Sequence, residues 1–432
     1  MSIALNLALL AGSVALLMGV IAAVRYAGER FGWHAEVSRK TIHVAIGLYA
    51  MALPLLFDAQ WPVVTLLLIA LALMGWLRLP QVRTSGLGKA IHAVERRSWG
   101  DIWLALAIGF VFLQARGEYI FYALPLAIIT LSDTAAALTG SAYGRSRFAV
   151  EDGVKSWEGV VAFFMVSVIV AMAMLLLLTD APRVNVVVLA FAIAGFGAIV
   201  EAVSWRGLDN LFVPIGLQFF IKGYLFAAPL DLALIGLQFL VAVIAVALIA
   251  RRLALSVHAS RAFVIAIFLF LGASGPYGAV VPMLAMAAHL VARRRPCASP
   301  HCDLDFIATL CGAGLIWFFV GETIGPSALS FYNLGMAGMA LGLLVVATGG
   351  RVAAGAALAA GVGAGYVALL GLAPGHALHS AHLPWVAAAS LALVTAMVIL
   401  RTAWFDRWRA PRLGAVANLV PFAAYLATLG MQ

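Results

Sequence analysis

Apolar runs of roughly 17 to 25 residues recur from one end of this chain to the other, each long enough to cross a hydrocarbon core of about 30 Å as a helix. A bilayer offers no water to satisfy peptide groups, so a spanning run must close its hydrogen bonds within itself, and runs of this length do so as helices. Of the 432 residues, 64% are hydrophobic and only 10% charged, too few charges to cover a soluble surface. The pattern predicts an all-α, polytopic integral membrane protein with about 15–16 transmembrane helices. They fall near 3–24, 41–57, 61–78, 101–115, 119–143, 157–179, 185–204, 210–227, 231–250, 262–274, 277–292, 306–322, 328–348, 353–373, 384–401 and 413–430. The weak pieces at 210–227 and 262–274 suit re-entrant or broken helices. The first run lacks a basic leader and a small-residue cleavage site, so it reads as a retained span.

Charge orients these spans. All but Arg116, Arg183 and Lys222 of the 27 basic residues fall on alternate connections, while Asp58, Glu118, Asp180, Asp231 and Glu322 lie at the opposite ends. The positive-inside rule then places the basic side in the cytoplasm and the N-terminus outside, in an inner or cytoplasmic membrane. The net charge of +9 follows from topology and gives no reason to expect nucleic acid as a partner. Cys297, Cys302 and Cys311 are expected as unpaired thiols in a reducing cytosol, and a metal site there lacks a fourth ligand at supporting spacing.

Polar residues that can carry chemistry cluster before residue 225, on the basic side. On a helix, Arg39, Lys40 and His43 point to one patch, suited to phosphate oxygens or equally to anionic lipid head groups. Asp133 stands inside an apolar span, followed by Ala136, Gly140 and Gly144. A buried aspartate is costly enough to mark function, and the small residues admit close approach by a phosphate or by another helix. Lys155, Ser156, Glu158 and Gly159 open the next span, where free N–H groups and the helix dipole favour an anion, although Ser156 also suits a plain N-cap. Glu201 ends a later span, and Asp209 and Asn210 begin the next, supplying hard oxygen donors of the kind magnesium takes; a simple turn accounts for the last two as well.

With these residues in this order, the sequence resembles the dolichol kinase and phytol kinase family of membrane enzymes over about residues 25–225. The resemblance is carried by Arg39-Lys40-x-x-His43, by Asp133-x-x-Ala136-x-x-x-Gly140-x-x-x-Gly144, by Lys155-Ser156-x-Glu158-Gly159, and by Glu201 with Asp209-Asn210 and Pro214, and more loosely by Arg96-Arg97-x-x-Gly100. It implies a kinase that uses CTP as donor and a long-chain isoprenoid alcohol as acceptor at the cytoplasmic face. Arg39, Lys40, His43, Gly140, Gly144, Lys155 and Ser156 would then bind nucleotide. Asp133, Lys155, Glu158 and Asp209 would act in catalysis, and Asp133, Glu201, Asp209 and Asn210 would hold Mg2+.

The expected division is a catalytic membrane domain at 1–228 and a further membrane domain at 229–432, which carries no motif of the family and is open to a second enzyme, a scaffold or a homodimer contact. His376, His379 and His382 there are expected in a solvated loop. Membrane lipids are the surrounding partner. The rival readings are a secondary transporter, which would keep its polar groups near the bilayer midplane, and a cytidylyltransferase, which would release pyrophosphate.

Overall fold

The structure, a computed structural model, describes residues 2–78, 99–150, 153–203, 206–250, 252, 255–323, 328–372 and 383–429. Arg83, Lys89, Arg96, Arg97, Arg251, His376, His379 and His382 lie outside the described residues. The described chain is helical almost throughout, and eight of its helices are long and apolar enough to cross a membrane. It divides into two compact units, Met1–Gln238 and Phe239–Gln432.

In the first unit the helices are Ile3–Phe31, Ala35–Leu56, Gln60–Leu77, Gly100–Ala115, Tyr119–Ala127, Asp133–Tyr143, Trp157–Leu178, Arg183–Val203 and Asp209–Tyr224. Tyr119–Ala127 and Asp133–Tyr143 are joined by one π-helical turn, Ile128–Ser132, so together they make a single span interrupted just before Asp133. The basic loop after this span is not irregular. It forms an antiparallel hairpin of β1 (Arg147–Val150) and β2 (Gly153–Ser156), with Phe148 opposite Lys155 and Val150 opposite Gly153. The Phe148 and Trp157 rings meet at 5.1 Å at its base.

Two prolines show how the unit meets the demand that every buried peptide group be satisfied. A proline inside a helix removes the donor to the carbonyl four residues earlier. Pro54 so frees the carbonyl of Ala50, which accepts the Tyr122 hydroxyl at 2.6 Å from a neighbouring helix. Pro125 frees that of Phe121, which accepts Gln218 Nε2 at 3.1 Å. The π-turn likewise leaves the Ile129 carbonyl facing His43 Nε2 at 3.2 Å. Gly47 lets the Ala35–Leu56 helix close on this turn, since a Cβ there would lie 2.8 Å from Thr130 Cβ.

The second unit holds the rest of Pro229–Ala250, within which the division falls, then Val257–Ala292, Cys302–Thr323, Ala328–Ala347, Val352–Leu372, Leu383–Leu400 and Arg409–Leu429. Val257–Ala292 is helical along its length but not straight. The Phe263 and His289 rings lie 6.2 Å apart, whereas 26 residues of straight helix would separate them by about 39 Å. The chain therefore doubles back between the apolar arms His258–Leu271 and Gly278–Ala292. Each arm is about 22 Å long, short of a hydrocarbon core of about 30 Å. The two segments expected near 262–274 and 277–292 are thus the arms of a helical hairpin, and the Tyr332 hydroxyl donates to the Gly278 carbonyl. Arg409 donates to the carbonyls of Ala292, Arg295 and Pro296, fastening the end of the second arm. Cys297 and Cys302 form a disulfide, which corrects the expectation of free thiols, and Cys311 is buried and free. Four intervening residues bring the pair together where a reducing cytosol was expected to leave the thiols free.

Replacing Tyr122 by Phe deletes the donor to the Ala50 carbonyl and little else. An orphaned buried carbonyl costs about 1–3 kcal/mol, so Tyr122→Phe should lower the apparent melting temperature in detergent, whereas Tyr119→Phe, which loses a longer bond of 3.3 Å to Met51, should lower it less.

Candidate active site

Asp133, Glu201 and Asp209 offer carboxylate oxygens that all lie within 4.8 Å of one another. They arrive from separate places. Asp133 is the first residue after the π-turn, Glu201 stands two residues from the end of Arg183–Val203, and Asp209 is the first residue of the helix that follows. The reversal between the last two passes through Arg206 and Gly207, both left-handed at φ 53° and 73°, a conformation glycine adopts freely and arginine seldom. It turns the chain tightly enough to lay Asp209 beside Glu201.

Two lysines meet this trio. Lys40 Nζ donates to Asp133 Oδ2, with both side chains almost wholly buried. His43, one turn further along the same helix, lies 3.5 Å from the same oxygen. Lys155, carried in by β2, donates to Glu201 Oε1 at 2.6 Å and also to the Glu201 main-chain carbonyl, so that it caps a helix end as well as pairing a charge. Burial by itself would lower the Lys155 pKa, but the charges of Glu201 and Asp209 outweigh it and raise the pKa above its ordinary value, so the ammonium stays charged.

The trio fits a hard divalent cation such as Mg2+ on the chemistry of its donors. All are carboxylate oxygens, and two of them, Glu201 Oε2 and Asp209 Oδ1, are buried with no hydrogen-bond partner.

The other residues singled out from the sequence fall around this centre. Arg39 is half-exposed and makes a two-pronged pair with Glu36 at 2.5 and 3.0 Å. Asn210 turns its amide N–H to the Gly100 carbonyl at 3.0 Å. Ser156 is the N-cap of Trp157–Leu178, accepting the Gly159 N–H at 3.1 Å. Glu158 accepts the Ser146 N–H at 2.9 Å, which fastens the base of the hairpin. Gly140 and Gly144 face Ser156, and Gly159 faces the Ala136 carbonyl: a Cβ on Gly159 would lie 2.9 Å from that oxygen, and one on Gly144 would lie 2.9 Å from Ser156 Cβ. In this arrangement the neighbour that the small residues admit is a helix.

Sequence reasoning did not find the π-turn, the Thr130–Gly47 contact behind it, or the strand that carries Lys155. For the strand a signal existed in the sequence, the Asp152-Gly153 dipeptide between short alternating runs.

Fold and centre together define the class: a polytopic α-helical membrane protein with a buried lysine–carboxylate centre where helix ends meet. The phytol kinase of Synechocystis sp. is 31% identical over 186 residues, which cover 42% of this chain and 76% of that protein. No family model matches the chain, and no solved structure matches it. On that identity and coverage, the chain belongs to the phytol kinase family, in part of its length.

Removing one partner of a buried ion pair leaves an uncompensated charge, at a cost of about 3–5 kcal/mol. Lys40→Met should therefore destabilise the protein strongly in detergent melting. The double variant Lys40→Met/Asp133→Asn, with no stranded charge, should recover a large part of the loss.

Proposed function

We propose that the first unit transfers the terminal phosphate of CTP to a long-chain isoprenoid alcohol, at the cytoplasmic face of the membrane and with Mg2+. Membership of the phytol kinase family supports a kinase with an isoprenoid alcohol as acceptor. The observation that carries the finer reading is the convergence of Asp133, Glu201 and Asp209 beside Lys40 and Lys155. Phosphoryl transfer depends almost wholly on positioning and on charge stabilisation, and this set of residues supplies both.

Lys155, on an exposed hairpin, grips the nucleotide phosphates, and Arg39 joins it by exchanging Glu36 for a phosphate oxygen. Lys40 holds Asp133 in place, and His43 steadies the π-turn that aims it. Mg2+, held by Asp133, Glu201 and Asp209, would neutralise charge on the phosphates. The alcohol oxygen forms a bond to the terminal phosphorus as the bond to the departing CDP breaks, and the hydroxyl proton passes to a carboxylate oxygen of the trio. Ser156, Gly140, Gly144 and Glu158 keep the hairpin and two helix ends in register around this centre. The prenyl chain lies along apolar helix faces, with its hydroxyl directed to the cytoplasmic end.

Full-length protein incubated with labelled CTP and phytol, farnesol, geranylgeraniol, dolichol or undecaprenol should give the alcohol monophosphate and CDP, dependent on Mg2+. Asp133→Asn should lower the rate by about 10²–10³-fold. Release of pyrophosphate would instead indicate cytidylyl transfer, and wild-type turnover by Asp133→Asn would overturn the assignment of the centre.

A further inference from the structure

The carboxylates of the centre already have a cation where a metal would sit. Lys155 Nζ holds Glu201 Oε1 at 2.6 Å, while Glu201 Oε2 and Asp209 Oδ1 beside it are buried and have no hydrogen-bond partner. An ammonium that holds Glu201 Oε1 and a divalent ion that takes the same oxygen exclude each other, whereas Lys40 holds only Oδ2 of Asp133 and leaves its other oxygen open. The two are therefore alternatives at Glu201.

The lysines differ in their freedom to leave. Lys40 has 3% of its side chain accessible and belongs to the Ala35–Leu56 helix, whereas Lys155 has 24% accessible and sits opposite Phe148 on β2, the second strand of a hairpin outside the helices. A lysine is also a flexible stem with a compact charge and three donors, able to change acceptors by rotation alone.

The geometry points to Lys155 as a resident counter-cation that keeps free divalent metal out of the centre, and that yields Glu201 only when nucleotide phosphate oxygens arrive to accept its N–H groups. This rests on the nucleotide-binding reading above. Metal and nucleotide then enter as one complex. When Lys155 swings to the phosphates, Glu201 Oε1 joins Glu201 Oε2 and Asp209 Oδ1 as a free donor. Without nucleotide the lysine returns, so the three carboxylates are not left facing one another.

Mn2+ binding to the full-length protein in detergent, followed by electron paramagnetic resonance, tests this without any turnover. Wild type should bind Mn2+ weakly alone and at least tenfold more tightly with CTP. Lys155→Met should bind Mn2+ at least tenfold more tightly than wild type in the absence of nucleotide, with little further gain from CTP. Lys155→Arg, which keeps the charge, should retain the weak binding of wild type. Unchanged or weaker Mn2+ affinity in Lys155→Met overturns the inference. So does tight binding of free Mn2+ by wild type, a result that needs no variant to fold. Tighter binding in Lys155→Met with no effect of CTP on wild type keeps the competition between lysine and metal and overturns the nucleotide reading.

Discussion

Charge inside a bilayer has to be matched where it lies, and that constraint organises the first unit. Water is not at hand to share the cost, so Asp133 can stand in an apolar span only because Lys40 reaches it from another helix, and Glu201 only because Lys155 reaches it from a strand. The partners are 93 and 46 residues apart in sequence. Each pair therefore ties distant parts of the chain into one arrangement. The same centre registers the Ala35–Leu56 helix, the π-turn and the hairpin against each other.

Neutral polar groups obey the same demand at smaller cost. The carbonyls freed by Pro54 and Pro125 would be orphans in hydrocarbon, and each is met by a side chain of a different helix. In the second unit, Arg409 ties down three carbonyls at the end of the second hairpin arm, and Trp317 Nε1 finds Asn418 Oδ1 at 2.6 Å within an aromatic cluster that includes Phe331 and Tyr425. Broken helices are thus part of the build wherever a neighbour can answer them.

The apolar helices were legible because hydrophobic length is a property of each segment alone, and 262–274 stood out as a weak piece, whereas its pairing with 277–292 in one hairpin was not legible. The candidate residues Asp133, Lys155, Glu201 and Asp209 stood out because charge is scarce in this chain. Which lysine meets which carboxylate was not legible, since pairing depends on how helices rotate against one another. The π-turn was hidden for a related reason: one extra residue in a turn leaves no mark in composition, yet it shifts the facing of everything after it. Ser156, Gly140 and Gly144 read equally well as phosphate contacts or as packing, and the approach of two helix ends gives them the second use. The Cys297–Cys302 bond was missed because the loop was expected to face a reducing cytosol.

The hairpin carrying Lys155 is built from eight paired residues outside the helices, held at its base by Ser146, Glu158 and the Phe148–Trp157 contact. A movement confined to these residues displaces none of the apolar helices, so it requires no acyl chain to be pushed aside.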